Sequence, residues 1–255
     1  MKKSSSSDYF ESNSHKYMER NYNELTEYIF SKLSLEKTFH ETDIAVEFGP
    51  GTGRFTGPIF ENFNKIILIE PSRYYCELLH QSFCLDKFPD KEILIRNESL
   101  KSYFDNFKKL NSTEAKNVYI FGFHLLHHLD KSEKESLYTF IRDHGCLCLL
   151  VDPYYLNPLI LIQILITPKM QFKEEYRYLL INKKSLKKEL KKFHLSLFDY
   201  CKVVPVAPFL IQKLLLNNSI KTINLLEKIA YILPFLNSYH AYLIGSSKDE
   251  YNKFT

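Results

Sequence analysis

The chain has 255 residues, of which 45% are hydrophobic and 25% charged, which suits one well-packed domain. Two independent domains would be small, and no Pro/Gly/Ser-rich linker divides the sequence. Its formal net charge of +4 is spread along the sequence, which argues against a nucleic-acid-binding protein. The five cysteines lack the paired spacing of a zinc site, and Cys146 and Cys148 are predicted to lie buried on one face of a strand in a reducing, cytoplasmic compartment.

The N-terminal region is predicted to be a polar tail followed by one helix. Residues 1–14 have two lysines but no apolar stretch after them, so they do not form a secretory signal and are predicted to be disordered. Apolar and aromatic residues then recur at helical spacing from His15 to Leu33. We therefore expect an amphipathic helix at the start of a single domain that spans residues 15–255.

Short apolar runs then alternate with helical segments, which is typical of βαβ units and a parallel sheet buried on both faces. These runs are Ile44–Phe48, Lys65–Ile69, Glu92–Ile95, Val118–Phe121 and Cys146–Val151. Two further runs, Ser196–Val206 and Tyr239–Ser247, predict a closing pair of strands. The predicted fold class is α/β: a doubly wound sheet of seven strands, mostly parallel with an antiparallel last strand, plus an N-terminal helix and helical cap insertions.

A glycine-rich turn follows the first predicted strand. Three of the seven glycines lie within "GPGTG", at Gly49, Gly51 and Gly53. In a strand–turn–helix unit, such a turn presents unpaired backbone N–H groups and a positive helix end at the ligand edge of the sheet. We expect Gly49 to permit the tight turn, Gly51 to let a ligand lie against the main chain, and Gly53 to allow close packing of helix and strand.

Two acidic residues indicate which ligand this turn binds. Dinucleotide sites have the spacing GxGxxG, whereas this chain has GxGxG with Glu47 two positions before the first glycine. A carboxylate there would repel a pyrophosphate but suits a ligand that has an ammonium and a sulfonium group. Glu70 ends the second run, where an acid can accept hydrogen bonds from both hydroxyls of a ribose.

Together these segments resemble the class I, Rossmann-like S-adenosylmethionine-dependent methyltransferases. Val46–Gly53 resembles the first motif of that superfamily, and Glu70 is similar to its ribose-binding acid. "FHLLHHLD" (Phe123–Asp130) resembles the segment after strand four in small-molecule methyltransferases, and "HGCLCLLVDPYY" (residues 144–155) resembles strand five. The resemblance covers about residues 40–155, the expected cofactor-binding core.

The resemblance implies a set of contacts with S-adenosylmethionine. Glu47 is expected near the methionine amino group, the backbone of Gly49–Gly53 along the methionine and ribose, and Glu70 at the ribose. For the acid that contacts adenine, Glu98 is chosen over Asn97. Two family features are absent from the sequence: Asn117 or Val118 stands where strand four usually begins with Asp, and Phe193-His194 replaces a Gly-Phe pair before strand six.

The catalytic candidates follow strand four. Methyl transfer chiefly needs alignment of the acceptor and exclusion of water, and a hydroxyl acceptor also benefits from a base. His127 and His128 are predicted to face the substrate, with packing as the alternative, while His124 lies nearer the strand. A zinc site built from these three histidines has no evident carboxylate or Cys partner in the sequence, so no metal is predicted. Tyr154 and Tyr155, after the fifth predicted strand, either line the opening of the same pocket or pack against neighbouring side chains.

The predicted substrate cap comprises residues 156–195 and 207–236. Its apolar segments, Leu159–Ile166 and Phe209–Leu233, favour a hydrophobic acceptor, although burial on the sheet or in a homodimer is an open alternative. The longest apolar run, Leu156–Pro168, is shorter than the ~20 residues of a membrane span. Lysines in Asn182–His194 indicate a solvated helix face, with contact to anionic lipid or nucleic acid as the minority alternative.

The function predicted from these features is S-adenosylmethionine-dependent O- or C-methylation of a small hydrophobic molecule by a cytoplasmic enzyme. The expected partner is the methyl acceptor, without nucleic acid, while peripheral membrane contact and a homodimer remain open. Two alternatives also remain: an NAD(P)-dependent oxidoreductase, and a methyltransferase-like protein that binds without catalysing.

Overall fold

The computed structural model describes residues 22–83, 88–107, 117–166, 175–203, 228, 232–233, 235 and 237–246. Its strands are β1 Ile44–Phe48, β2 Lys65–Ile69, β3 Glu92–Arg96, β4 Val118–Phe123, β5 Leu147–Pro153, β6 Ser196–Val203 and β7 Tyr239–Gly245. Its helices are α1 Asn23–Lys32, α2 Gly57–Asn62, α3 Arg73–Ser82, α4 Leu100–Phe107, α5 Lys131–His144, α6 Pro158–Ile166 and α7 Lys183–Lys191. Short 3-10 helices lie at Leu35–Thr38 and Tyr176–Leu180.

The seven strands form one sheet in the order β3-β2-β1-β4-β5-β7-β6. Strands β1 to β5 pair in parallel, whereas β7 is antiparallel to both β5 and β6. The predicted α/β sheet with an antiparallel last strand is therefore confirmed. The predicted bounds of β1 and β2 agree with the structure, while β4 runs two residues further than its apolar run suggested.

Both faces of the sheet are covered by apolar side chains. Within β1, Ala45 belongs to a core cluster with residues of α1 and α2, and Val46 and Phe48 belong to a second cluster with residues of α4 and α5. Successive strand residues point to opposite faces, so one continuous apolar run serves both layers. Each fully buried aliphatic or aromatic side chain of this kind stabilises the fold by roughly 1.5–3 kcal/mol.

The leading helix lies against the first layer. Helix α1 buries Leu25, Ile29 and Phe30 in that cluster and ends at Lys32, close to the predicted end at Leu33. The predicted start of this helix, residues 15–21, lies outside the described residues, as does the predicted polar tail.

Helix α5 has a sharply defined start and end. Asp130 accepts a hydrogen bond from the backbone N–H of Glu133 and the Glu133 side chain bonds back to Asp130, a capping box. Gly145 ends the helix with a φ of 61°, the left-handed conformation that glycine adopts without strain. Since α5 begins at Lys131, the histidines at 124–128 are confined to a short turn between β4 and α5.

Cys146 and Cys148 are buried free thiols, as predicted.

The predicted substrate cap is described only in part. In α6, Ile162 and Leu165 are exposed, as is Leu156 just before the helix. Of residues 207–236, positions 228, 232, 233 and 235 alone are described. No helix within the described ranges is both long and apolar enough to cross a membrane.

Candidate cofactor and catalytic site

The candidate residues lie at the ends of neighbouring strands. Strands β1 and β4 are adjacent at the centre of the sheet, and the chain runs outward from them in opposite directions, through β2 and β3 on one side and through β5 on the other. The carboxyl edge at such a switch point is where open α/β sheets bind ligands. The glycine turn follows β1, Glu70 follows β2, and the histidine turn follows β4.

The glycine turn has the backbone conformation that its sequence suggested. Gly49, Gly51 and Gly53 have φ values of 64°, 56° and 75°, a region that other residues enter at a cost. A Cβ at Gly51 would meet nothing within 4 Å, so this peptide is open to a ligand. A Cβ at Gly53 would lie 2.5 Å from the Phe83 side chain. Gly53 therefore permits close approach of the segment that follows α3.

The helix after the turn begins later than the motif suggested. The chain continues in turns through residues 51–56, and α2 starts at Gly57 and has six residues. The loop N–H groups, and not the end of a long helix, are thus the polar groups at this edge. One of them, the N–H of Gly51, donates to Oε2 of Glu70 at 3.0 Å.

Glu47 is a buried acid next to this loop. Its side chain lies within β1 and the residue is 1% exposed. Burial raises the pKa of Glu47 to about 8; the nearby Thr56 hydroxyl opposes this rise and the nearby Glu70 adds to it. Its Oε2 has no hydrogen-bond partner among the described residues. A cation at this edge would stabilise the ionised carboxylate, since the ion pair offsets part of the cost of burying the charge.

Glu70 links the first two strand ends. Besides the bond from Gly51, its Oε1 accepts a hydrogen bond from the backbone N–H of Ser72 at 2.9 Å. A carboxylate has about four acceptor sites, so hydrogen bonds to backbone N–H groups are compatible with the predicted binding of ribose hydroxyls.

The two candidates after β3 have different surroundings. Oε1 of Glu98 lies 3.5 Å from Nη1 of Arg96, and its Oε2 accepts a hydrogen bond from the Ser102 hydroxyl at 3.2 Å. These two contacts are with the end of β3 and the start of α4, between which Glu98 lies. Asn97 instead donates from Nδ2 to the backbone oxygens of Glu70 and Pro71, at 3.0 and 2.9 Å. Asn97 therefore braces the Glu70 segment. The adenine-binding role of Glu98 stays a prediction.

His127 is held by an acid that the sequence argument did not select. Nδ1 of His127 lies 2.5 Å from Oδ1 of Asp152, and Asp152 also accepts from the backbone N–H groups of Leu126 and His127. Both His127 and Asp152 are almost completely buried. Asp152 thus fixes both the histidine turn and the orientation of the His127 ring. The sequence signal for it was an acid at the end of an otherwise apolar strand.

A second acid approaches the other side of the His127 ring. Oε2 of Glu175 lies 3.8 Å from Nε2 of His127, and Glu175 is buried. Burial favours the neutral imidazole, but Asp152 and Glu175 together outweigh it and raise the pKa of His127 to about 9. Without a ligand, His127 is therefore a cation at neutral pH. Glu175 lies 47 positions after His128 in no recognisable motif, so sequence reasoning missed it.

The other two histidines of the turn differ in exposure. His128 is exposed and its ring centroid lies 4.0 Å from that of His127. His124 has a φ of 57° and packs against Phe55 and Tyr239. Burial, together with nearby Arg54, holds the pKa of His124 well below its usual value. The turn thus contains one protonated, one exposed and one neutral histidine.

The two tyrosines after β5 belong to an aromatic cluster around His240. Tyr154 is 2% exposed and packs against the His240 ring, while the Tyr155 ring is stacked on it. Nδ1 of His240 lies 2.7 Å from the Tyr200 hydroxyl, and burial lowers the pKa of His240 to about 3. The packing alternative therefore describes Tyr154 well.

Three solved structures illustrate what the chain is similar to. A protein of Galdieria sulphuraria assigned as a sarcosine dimethylglycine methyltransferase is 10% identical, with a TM-score of 0.55, covering 87% of this chain and 85% of its own. A SAM-dependent methyltransferase from Archaeoglobus fulgidus is 16% identical, with a TM-score of 0.51 and coverages of 86% and 93%. One from Clostridium acetobutylicum is 9% identical, with a TM-score of 0.51 and coverages of 91% and 95%.

This chain has the methyltransferase fold. No family model matches its sequence, and no curated protein does. Because these three structures are 16% identical or less to this chain, they show its fold and nothing further. Just before β6, His194 of the Phe193-His194 pair has a φ of 58°, in the left-handed region that residues other than glycine enter at a cost.

Proposed function

We propose that the chain is an S-adenosylmethionine-dependent methyltransferase. The observation that carries this proposal is the pairing of an open Gly51 peptide with two acids, Glu47 buried at one side and Glu70 bonded to the loop. Glu47 supplies a negative charge for the ammonium of the cofactor, and Glu70 supplies acceptors for its ribose. A pyrophosphate at the same loop would meet both carboxylates, so a nicotinamide dinucleotide fits less well.

The proposed reaction moves a methyl group from sulfur to an acceptor atom. The carbon–sulfur bond of the sulfonium breaks, a bond from the methyl carbon to an acceptor oxygen or carbon forms, and S-adenosylhomocysteine leaves as a neutral thioether. Alignment and water exclusion supply most of the rate. The acceptor proton needs a base, and His127 already holds a proton at neutral pH. Exposed His128 is therefore the better candidate for that step.

We propose a small hydrophobic acceptor for this reaction. The support is the exposed apolar surface of Leu156, Ile162 and Leu165, which follows β5 at the same edge of the sheet as the histidine turn. An apolar surface of this kind also suits a membrane or a second copy of the chain. Membrane contact, a homodimer, the lack of a nucleic-acid partner and the cytoplasmic location stay predictions.

The proposal is tested by binding first and by chemistry second. Calorimetric titration of the purified protein with S-adenosylmethionine, S-adenosylhomocysteine and NADH should give binding of the first two and none of the third. Incubation with a cell extract and methyl-labelled cofactor, followed by mass identification of labelled products, should then reveal the acceptor. Tight binding of NADH alone would replace the proposal with an oxidoreductase, and cofactor binding without any labelled product would favour a non-catalytic protein.

A further inference from the structure

A cluster of three metal-ligating side chains lies at the β4–β5 edge. His127, His128 and Glu175 each place one donor atom such that all three lie within 4.8 Å of one another. In a tetrahedral zinc site with bonds of about 2.1 Å, the ligand atoms lie about 3.4 Å apart. The 3.8 Å between Nε2 of His127 and Oε2 of Glu175 is already close to that value. Side-chain adjustments that shorten the longest separation, at most 4.8 Å, by up to about 1.4 Å would complete the set.

The composition of the cluster selects the class of ion. Two imidazoles and one carboxylate are the ligands of many catalytic zinc sites and of other first-row transition metals, whereas Mg²⁺ and Ca²⁺ prefer oxygen ligands. Two acids, Glu175 in the cluster and Asp152 behind it, neutralise the charge of a divalent cation. The cluster therefore suits a borderline-soft divalent ion such as Zn²⁺.

Asp152 has the position of a supporting group in such a site. A histidine that binds a metal through one ring nitrogen usually donates its other N–H to a carboxylate, which fixes the ring and its tautomer. Asp152 accepts from Nδ1 of His127 and so leaves Nε2, the atom nearer Glu175, as the ligand. Its two backbone hydrogen bonds hold the whole turn in that orientation.

Burial of the cluster is uneven in a way that suits an exchangeable ion. The side chains of His127 and Glu175 are 2% and 7% exposed, while His128 is exposed. The buried side chains of His127 and Glu175 are held in place before an ion binds, and an ion can reach them from solvent past exposed His128. Three protein ligands also leave a fourth position for water or a substrate atom.

We infer that His127, His128 and Glu175 bind a divalent transition-metal ion, with Zn²⁺ as the best-fitting example. The sequence argument against a metal was the lack of a carboxylate partner, and Glu175 supplies one from a distant segment. Binding of the ion does not depend on methyl transfer. Only the role of the ion rests on the proposed function: in a methyltransferase, an ion held here would act as a Lewis acid toward the acceptor, and the base role proposed for His128 would apply to the metal-free protein alone.

The test is direct metal binding by the full chain, with no cofactor or acceptor present. Protein stripped with a chelator is titrated with Zn²⁺ against a chromogenic competitor, and Co²⁺ is added separately for its absorption spectrum. We expect one high-affinity ion per chain and an intense visible Co²⁺ band typical of four-coordinate nitrogen and oxygen ligands. Mg²⁺ should not compete at comparable concentrations.

Variants separate this site from adventitious histidine binding. His128→Ala and Glu175→Gln should each weaken Zn²⁺ binding by at least about 10-fold, since loss of a ligand costs no less than loss of a group that supports one. His80→Ala and Glu135→Gln, at exposed positions on α3 and α5, should not change it. Because His128 is exposed, its replacement should not disturb folding, which thermal melting checks. Wild-type affinity equal to that of His128→Ala and Glu175→Gln would overturn the inference and leave the cluster as an ion-pair network around His127.

Discussion

The two halves of the candidate site are built in different ways. At the β1–β2 edge, the polar groups are mostly backbone N–H groups and two acids that lie within 24 residues of chain, Glu47 to Glu70. At the β4–β5 edge, the groups are side chains from three separate segments, His127, Asp152 and Glu175. The first half is a local motif and the second is an assembly made by the fold. The first should therefore set cofactor binding and the second should set chemistry on the acceptor.

The largest expected effect concerns the first half. Glu70→Ala removes the acceptor for the ribose and the bond to the Gly51 N–H, so cofactor affinity should fall about 100-fold, as expected for hydrogen bonds to a charged group. Isothermal titration with S-adenosylhomocysteine measures this. Glu77→Ala is the matched control, since Glu77 is an acid of α3 with an exposed side chain paired to Arg73. A change in Kd of less than about threefold for Glu70→Ala would remove the ribose assignment.

The next effect concerns the second half. Asp152→Asn keeps the shape of the side chain but removes the charge that orients His127, so turnover should fall about 10–100-fold on an identified acceptor. Cofactor affinity should stay within about twofold of wild type, because β4 separates β5, which contains Asp152, from β1 and the glycine turn. The exposed Asp105 of α4 provides the control variant Asp105→Asn. A loss of cofactor affinity in Asp152→Asn would show that the two halves are not separable.

The smallest expected effect is a pH dependence that arises from Glu47. Because the pKa of Glu47 is raised to about 8, the ionised form that pairs with an ammonium becomes more abundant as pH rises. The fraction ionised increases about fivefold between pH 7 and pH 8, and cofactor affinity relative to Glu47→Gln should increase by the same factor. The measured quantity is the ratio of the Kd values of the two proteins, because the amino group of the cofactor titrates in the same pH range and affects both.

The same group gives a stability measurement for the ligand-free protein. The pKa of Glu47 in the folded protein, about 8, lies above its ordinary value of 4.5, so the folded state binds more protons than the unfolded state between pH 4.5 and pH 8. Its contribution to the free energy of unfolding is therefore present below pH 4.5 and decreases as pH rises towards 8. The melting temperatures of wild type and Glu47→Gln should be similar at low pH and should differ most at pH 8. A difference in melting temperature that does not change with pH would contradict the raised pKa of Glu47.

The sequence predicted the sheet well because its signals are local. Continuous apolar runs identify buried strands, and the bounds of β1 and β2 follow from them directly. The capping box at Asp130 and Glu133 is likewise visible in four letters of sequence. The positions of Glu47, the glycines and Glu70 at one edge follow from the strand–turn–helix pattern alone.

The second half of the site could not be predicted in the same way. Glu175 lies close to His127 in the folded chain although it comes 47 positions after His128, and no periodicity in the sequence encodes that contact. Asp152 was visible as an acid at a strand end, but its partner depends on the parallel register of β4 and β5. The burial that raises the pKa of Glu47 is also a property of the packed sheet and not of the motif.

The reversed direction of β7 has a practical use. Because β7 is antiparallel to β5, Tyr239 at its start pairs with Pro153, while Ile244 near its end pairs with Cys148 at the far end of β5. Ser196, which is exposed and pairs with Gly245 at the end of β7, therefore lies at the edge of the sheet opposite the glycine and histidine turns. A fluorescent label on a Ser196→Cys variant, once the competing thiols are replaced, would attach to the side of the molecule away from the site, without blocking the entry of cofactor, ion or acceptor.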